Sequence, residues 1–207
     1  MSPRVSQDHI DRRREQILQA AVFCSARKGF RRTTMRDICR EANLSTGAVY
    51  NYFKSKEEIL EALARKGREI KQLIFEGLKN AKSAREALRE LFRYVFLAYR
   101  DKDFRTYGPI DVDTYNEALR NENIRRIFLE ELEFLVTPLS EIIAFWQERR
   151  EIKRDLDPVY LANCLIALTV GIKIHLLIQP DLSVEGYEDT IEKLIIKALT
   201  EITRYDG

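Results

Sequence analysis

The amino-acid sequence predicts an all-α protein in which a small N-terminal module precedes a larger helical domain. Apolar residues recur at helical spacing along most of the 207 residues, whereas alternating β-branched runs are absent. Glycine and proline, with eight and five residues, are scarce, as expected for a chain of long helices. The hydrophobic and charged fractions, 45% and 33%, are typical of a globular protein that folds around a core.

The first predicted helix covers residues 11–28. Ile17, Ala21 and Cys24 recur on one of its faces, and Gly29 follows it directly. Because glycine takes the left-handed backbone conformation without a steric penalty, it is well suited to end a helix. The pattern therefore predicts a helix that stops at Gly29.

Two short helices joined by a tight turn follow over residues 34–53. Thr34 opens the first, with Asp37 three residues later in the arrangement of a capping box. Asn43 tolerates the positive φ that ends a helix, and Ser45 is a good N-cap for the second. Two capped helices separated by so few residues are typical of a helix-turn-helix, here the second and third helices of a three-helix module.

The second of these short helices carries more polar and aromatic side chains than the module can bury. On a helix, Val49 and Phe53 share one face, so Tyr50, Asn51 and Tyr52 cannot all lie inside with them. We therefore expect Val49 and Phe53 to hold the helix to the module, and the polar residues to form an outward edge.

The charge of the chain is divided unevenly between its two parts. Residues 1–56 contain 12 Lys and Arg against 5 Asp and Glu, whereas the remainder contains 23 basic and 28 acidic residues. A basic module on an acidic body favours binding to a polyanion such as double-stranded DNA. The alternative is a chance clustering of basic residues on a solvated surface.

Five separate blocks in this region resemble the N-terminal signature of TetR-family transcriptional regulators. They are ILQAA at 17–21, KGF at 28–30, TTMRDI at 33–38, ANLSTGAVYNYF at 42–53 and KSKEEIL at 54–60. The resemblance implies a one-component regulator, usually a repressor, that binds a palindromic operator as a dimer and is released by a small-molecule effector. It also implies a helix-turn-helix DNA-binding domain over residues 1–56, and a helical effector-binding and dimerisation domain over residues 57–207.

The predicted DNA-binding residues lie in and around the helix-turn-helix. The resemblance implies that the second helix of the motif and the lysine after it contact the operator, and the helix before them crosses the DNA backbone. Arg31 and Arg32 either reach an adjacent groove or belong to a solvated basic loop. The full predicted set is Thr33, Thr34, Arg36, Ser45, Thr46, Gly47, Ala48, Tyr50, Asn51, Tyr52 and Lys56.

The last two predicted helices suggest a dimer interface. Residues 158–178 are apolar almost all round and are long enough to span a membrane, but Asp157 and Pro158 suit the start of a soluble helix. We therefore expect this helix to be buried on several sides. The final helix repeats apolar residues at helical spacing from Tyr187 to Ile202. Together they predict a homodimer built on a four-helix bundle, the alternative being a monomeric core.

Aromatic residues are concentrated in the middle of the chain, where 11 of the 20 lie within residues 92–146. Pro138 is expected to kink a long helix there and to open space between helices. An apolar interior with a few polar groups predicts a site for an apolar or aromatic effector, although an aromatic stripe also suits an ordinary core. The predicted ligand-binding residues are Phe96, Tyr99, Tyr107, Asp113, Tyr115, Phe128, Trp146 and His175.

Enzyme and metal-binding classes are disfavoured by the residues that the sequence lacks. The three cysteines form no CxxC pair, the two histidines are far apart, and neither a glycine-rich phosphate loop nor a nucleophile elbow occurs. We therefore predict no catalytic residue, metal or cofactor. A polar, arginine-rich N-terminus without an apolar leader favours a cytoplasmic location. The remaining alternative is a ligand-independent architectural DNA-binding protein, which would not need so large a second domain.

Overall fold

The computed structural model describes residues 7–179 and 181–200. These residues contain no β-strand, so the predicted all-α class is confirmed. The α-helices, in chain order, are α1 Gln7–Lys28, α2 Met35–Glu41, α3 Thr46–Tyr50, α4 Lys56–Lys79, α5 Ala84–Arg100, α6 Phe104–Ala118, α7 Glu122–Glu148, α8 Pro158–Ile178, α9 Val184–Ile191 and α10 Lys197–Thr200.

The helix ends of the N-terminal module follow the local sequence signals. Gly29 has a φ of 82° and ends α1, and Asn43 has a φ of 51° at the turn after α2. Thr34 and Asp37 form the reciprocal capping box at the start of α2. The Ser45 hydroxyl accepts a hydrogen bond from the backbone N–H of Ala48 and caps α3. Each predicted cap is confirmed, because its partners lie within a few residues of each other in the chain.

Packing divides the chain into two compact units. The first comprises the described part of Met1–Gly67 together with Thr106–Leu129, and the second comprises Arg68–Arg105 together with the described residues from Glu130 onward. Both α4 and α7 therefore run from one unit into the other. The functional division after residue 56 stays a prediction, while packing assigns α6 and the start of α7 to the unit that contains the helix-turn-helix.

The first unit has two apolar clusters. The larger joins α1, α2 and α3 through the buried side chains of Ile17, Ile38, Val49 and Phe53. A smaller one packs Phe30, Ala118 and Ile124 together, with Leu60 and Phe128 against them. The second cluster explains why α6 belongs to this unit, since Ala118 is its last residue.

The core of the second unit is built by α5, α7, α8 and the C-terminal segment. Its most deeply buried large side chains are Phe96, Ile143 and Ile152. Ile196 and Leu199 complete it from the last part of the described chain. Ile202, which the sequence also assigns to this helical pattern, lies outside the described residues.

Within the single chain the α8 helix buries one face, so its expected burial on several sides stays a prediction. Ala162, Leu165, Ile172 and Leu176 are its buried residues. An apolar stripe on another face is left uncovered or partly covered, namely Tyr160, Cys164, Ala167, Gly171, Ile174 and Ile178. Tyr160 is 75% exposed and Ile178 70% exposed. Within the described residues, this helix alone has the length and apolar composition that a membrane span requires.

The C-terminal segment contains a π-helical turn, Glu192–Ile196, between α9 and α10. The Glu192 carboxylate lies 2.7 Å from a guanidinium nitrogen of Arg85 and 2.6 Å from one of Arg89, both on α5. These hydrogen bonds, that of Arg89 first, lower the pKa of Glu192 to about 2 from its ordinary 4.5. The paired carboxylate therefore fastens the C-terminal segment to α5.

The pKa of Glu192 gives a prediction about acid stability. Because the folded-state pKa lies below the unfolded one, the stabilisation is complete above pH 4.5 and is lost as the pH falls toward 2. Glu192→Gln should thus lower the free energy of unfolding at neutral pH, and the difference from the unmodified protein should shrink in that acid range. Urea titrations at several pH values measure this difference in the free energy of unfolding. Glu69→Gln, at an exposed glutamate, serves as the control. A difference independent of pH would contradict the linkage.

Candidate nucleic-acid interface and ligand cavity

The α3 helix presents two faces with different chemistry. Val49 is fully buried, and Phe53, just after the helix, is only 2% exposed. Thr46, Gly47, Tyr50 and Asn51 are exposed, as are Ser45 before the helix and Arg36 on α2, whereas Ala48 and Tyr52 are half-buried. The structure therefore brings most of the predicted DNA-binding residues onto one polar surface. Tyr52 is the exception among the aromatics, since its ring packs against the apolar cluster.

Gly47 leaves the exposed edge of α3 without a side chain. A Cβ placed on Gly47 meets no atom within 4 Å, so nothing inside the protein requires glycine here. The residue is also helical and has no positive φ. What the glycine provides is a flat, open backbone surface between Thr46 and Ala48.

Two side chains from α1 brace the helix-turn-helix, Arg14 at the end of α3 and Gln16 at the end of α2, and neither was among the predicted residues. The Arg14 guanidinium lies 4.5 Å from the centre of the Phe53 ring and donates to the backbone oxygen of Tyr52 at 3.4 Å. Gln16 donates to the backbone oxygen of Ala42 at 2.6 Å. These contacts join residues 38 and 26 positions apart, so no local sequence pattern signals them.

Thr33 is a correction to the predicted interface. Its side chain is only 2% exposed, and its hydroxyl donates to the backbone oxygen of Gly29 at 2.9 Å. A buried, bonded hydroxyl cannot reach DNA without unfolding the turn. The neighbouring Thr34 is exposed, but its hydroxyl serves the capping box with Asp37. The ion pair of Asp37 with Lys28, followed by the bonds from Thr34, holds the pKa of that carboxyl well below its usual range.

Lys56 is engaged within the first unit. Its Nζ donates to the backbone oxygens of Phe30 and Arg31 at 3.2 and 3.1 Å and lies 4.7 Å from the centre of the Phe30 ring. Because an ammonium has three N–H donors, these bonds do not exhaust it. Lys56 thus supports the turn after α1, and its contact with a phosphate stays a prediction. Arg31 and Arg32 are both exposed, and Arg31 faces Glu117 at 3.7 Å.

An apolar cavity of about 180 Å³ lies in the second unit among α4, α5, α7 and α8. Its walls are mostly aliphatic, and its polar groups are the side chains of Lys71, Tyr94 and Thr169. The apolar lining consists of Ile74, Phe75, Leu91, Val95, Leu135, Leu139, Leu165 and Ile166. Drug-sized pockets measure roughly 300–1,000 Å³, so this cavity suits a smaller or narrower ligand.

A wider, open groove of about 590 Å³ lies between α4 and α7. Phe75 lines both the groove and the cavity and is only 8% exposed. Pro138 borders the groove within α7, at the place where the sequence predicts space between helices. Charged residues of both signs surround the groove, among them Arg68, Lys79 and Glu133.

None of the eight predicted ligand-binding residues lines the 180 Å³ cavity. Phe96, Tyr99 and Trp146 belong to the core, because large aromatic rings fill it better than they would line an open space. Tyr99 comes nearest, since its hydroxyl donates to the backbone oxygen of Thr169 at 2.8 Å and so supports the cavity wall. His175 is exposed, with a ring nitrogen 3.3 Å from the Tyr187 hydroxyl.

The other four lie in the first unit, in or next to α6 and away from this cavity, so their role in ligand binding stays a prediction. The Tyr107 ring meets the edge of Phe23 at 6.1 Å between centres, and Tyr115 meets Phe128 at 4.3 Å. Burial raises the pKa of Tyr115 to about 12. Asp113 lies so close to Gly29 that a Cβ there would be 2.6 Å from its carboxylate. These residues pack α6 within the first unit, and Lys71 and Tyr94 are the cavity residues that the sequence analysis missed.

The sequence did contain one signal for Lys71. It lies four residues before Phe75 and seven before Leu78, on the apolar stripe of α4 where a lysine is unexpected. A half-buried lysine on such a stripe indicates a polar requirement inside the fold.

Comparisons with known proteins agree with this geometry. Residues 17–63 match the model of the bacterial regulatory proteins of the tetR family. The chain is 32% identical over 172 residues, 70% of its length and 80% of the relative's, to the HTH-type transcriptional regulator YfiR of Bacillus subtilis. It is 39% identical over 67 residues, 32% of its length and 36% of the relative's, to the HTH-type transcriptional repressor Rv1474c of Mycobacterium tuberculosis.

A solved structure extends the similarity to the whole fold. The transcriptional regulator FadR from Bacillus subtilis, in complex with stearoyl-CoA, superposes with a TM-score of 0.74 at 21% identity. The match covers 89% of this chain and 98% of that one. These matches agree with the helix-turn-helix and its exposed α3 edge, and the YfiR match covers most of both chains. The chain therefore belongs to the tetR family of bacterial regulatory proteins, which are DNA-binding regulators of transcription.

Proposed function

We propose that the protein is a one-component transcriptional repressor that binds a palindromic operator as a homodimer and is released by an apolar small molecule. The observation that carries the proposal is the α3 edge, where Thr46, Gly47, Tyr50 and Asn51 face solvent on a helix fixed by buried Val49 and Phe53. The repressor relative of Mycobacterium tuberculosis, which matches over this region, supports repression.

The proposed interface places α3 in the major groove, which is about 12 Å wide and accepts one helix. The backbone at Gly47 approaches the DNA closely, and the hydroxyls of Thr46 and Tyr50 bond phosphates or base edges. Asn51 either pairs with adenine or holds a phosphate. Arg36 and Thr34 contribute from α2 and its cap, Ser45 and Ala48 complete the first turn of α3, and Tyr52 contributes at its end through the exposed part of its ring.

The proposed dimer is formed by the uncovered apolar stripe of α8 together with the C-terminal segment. The stripe residues from Tyr160 to Ile178 are spaced alternately four and three apart, the repeat by which two helices pack along their length. Ala167 and Gly171 at its middle permit close approach of the backbones. Such a dimer presents two α3 helices to half-sites about 34–36 Å apart, or a multiple of that spacing.

The proposed effector site is the 180 Å³ cavity, whose aliphatic walls suit an apolar ligand. The complex of the similarly folded FadR with stearoyl-CoA supports an aliphatic chain as the ligand's apolar part. Effector binding shifts the population away from the DNA-competent state, which requires a different affinity for the two states. A cytoplasmic location, with no membrane and no catalytic role, agrees with this function.

Selection of bound duplexes from a random pool tests the proposal. We expect an inverted repeat with two equivalent half-sites, and apolar ligands that raise the melting temperature should release that operator in gel shifts. Enrichment of no sequence would contradict a sequence-specific repressor. DNA binding that no stabilising ligand affects would favour the architectural alternative.

A further inference from the structure

We infer that the cavity selects a single-chain amphiphile with an anionic head, a carboxylate or a phosphate, and that Lys71 recognises this head by exchanging Glu131 for it. The inference rests on the proposed function, because it assigns a ligand class to the proposed effector site.

The lining of the cavity contains one charged side chain, that of Lys71, within the part of the chain that the structure describes. The hydroxyl-bearing residues Tyr94 and Thr169 are its other polar members. Aliphatic side chains from α4, α5, α7 and α8 surround the remaining space and offer no hydrogen bond to a ligand. A ligand that satisfies this wall has an apolar chain and a single polar end.

Lys71 shares its carboxylate partner with a second cation. Glu131 on α7 pairs with Arg68 at short range and with Lys71 at 3.2 Å. The side chains of both cations are 31% exposed and that of Glu131 is 16% exposed. Two partly desolvated positive charges thus share one negative charge, which leaves a local positive excess where electrostatic attraction is stronger than in open water.

The two pairs differ in a way that makes Lys71 the exchangeable one. Arg68 pairs with Glu131 through a guanidinium that also lies 5.3 Å from the centre of the Phe134 ring, whereas Lys71 belongs to the cavity wall. When Lys71 turns to an anionic ligand, Glu131 therefore keeps a charged partner and is not left unpaired. After the exchange Lys71 pairs with the ligand and Arg68 pairs with Glu131, so each of these partly buried charges has a partner of opposite sign.

The carboxylates of the neighbouring groove do not outweigh this excess. Glu76, Glu130 and Glu133 line the groove and are exposed, so water and salt screen their attraction for a cation. None of the three lines the cavity. Lys71, by contrast, belongs to the cavity wall itself, which decides in favour of an anionic head.

The exchange also links the ligand to the DNA-binding part of the chain. Lys71 and Arg68 lie on α4, whose first residue, Lys56, follows the helix-turn-helix directly. Glu131 lies on α7. A ligand that takes Lys71 from Glu131 removes one of the two ion pairs by which Glu131 ties α4 to α7, and so acts on the helix that leaves the DNA-binding motif.

The test uses the full chain and four probes with the same tail: decanoate, decyl phosphate, decanol and decyltrimethylammonium, each below its micellar concentration. In calorimetric titrations we expect at least one anionic probe to bind about 10-fold more tightly than decanol, as one charge-assisted hydrogen bond would give. The cationic probe should bind more weakly than decanol. Which anionic probe binds more tightly identifies the head group as carboxylate or phosphate.

Two variants assign the preference to Lys71. Lys71→Met should bind decanol unchanged and lose the preference for the anion, whereas Lys79→Met, on the same helix but outside the cavity, should keep it. Glu131→Gln, which removes the competing carboxylate, should raise the affinity for the anionic probe. Equal binding of anion and alcohol, or a preference that survives in Lys71→Met, would overturn the inference. Failure of all four probes to bind would instead overturn the proposed effector site.

Discussion

Replacing Gly171 with glutamine will convert the protein into a folded monomer that binds its operator about 10²–10⁴-fold more weakly, because the avidity of two linked half-site contacts is lost. Within one chain we expect the substitution to be tolerated, since a Cβ at Gly171 meets no atom within 4 Å. Across the proposed dimer the same side chain would stand between two closely packed helices. Glutamine also favours a helix interior over glycine by up to about 1 kcal/mol, so the monomer should not be destabilised.

Light scattering measures the molar mass, which should fall from that of a dimer, twice 24.3 kDa, to that of a monomer, 24.3 kDa. The matched control is Gly77→Gln on α4, where a Cβ likewise meets no atom within 4 Å and the residue lies off the α8 stripe. This control should remain dimeric and bind the operator normally. A Gly171→Gln protein that stays dimeric at micromolar concentration would exclude the α8 stripe as the interface.

Replacing Gly47 with glutamine should abolish specific operator binding while the protein stays folded and dimeric. The exposed backbone of α3 at Gly47 is where the helix is expected to lie against the DNA, and an added side chain would hold it away. We expect an affinity loss of about 100-fold or more, which brings binding to the level of non-specific association. The fold itself should tolerate the change, because Gly47 is exposed and a Cβ there meets no atom within 4 Å.

Gel shifts with the selected operator measure this loss, and thermal denaturation verifies the fold. Gly77→Gln again serves as the control, since it adds the same side chain to an exposed helical site in the other unit. Gly47→Ala refines the result, because a single methyl group should weaken binding less than glutamine. Full operator binding by Gly47→Gln would show that α3 does not approach the DNA at this residue.

The module was predictable from the sequence because its signals are local. Thr34 and Asp37 lie three residues apart and meet wherever the chain turns into a helix, and Asn43 ends that helix through its own backbone preference. The two faces of α3 likewise follow from the spacing of Val49 and Phe53. Thr33 was wrong because its burial depends on a bond to Gly29 in the turn, which composition does not reveal.

The apolar cavity was not predictable in the same way, because side chains from four helices form it. An aromatic-rich interior suggested aromatic lining residues, yet Phe96 and Trp146 fill the core while leucine and isoleucine line the space. Asp113 and Tyr115 were predicted as polar ligand contacts, and packing places both in the first unit, away from this cavity. The apolar pattern of a sequence predicts which residues are buried. The position of a cavity depends on how helices that are far apart in the sequence diverge.

The uncovered stripe of α8 has a consequence for gene dosage. If the operator-competent species is the dimer, its amount at low abundance varies as the square of the protomer concentration. Tyr160 and Ile178, each at least 70% exposed in the single chain, supply apolar surface that water disfavours and that drives this pairing. Dilution during cell growth then lowers the amount of dimer more than in proportion, so one face of one helix sets the steepness of the proposed regulatory response.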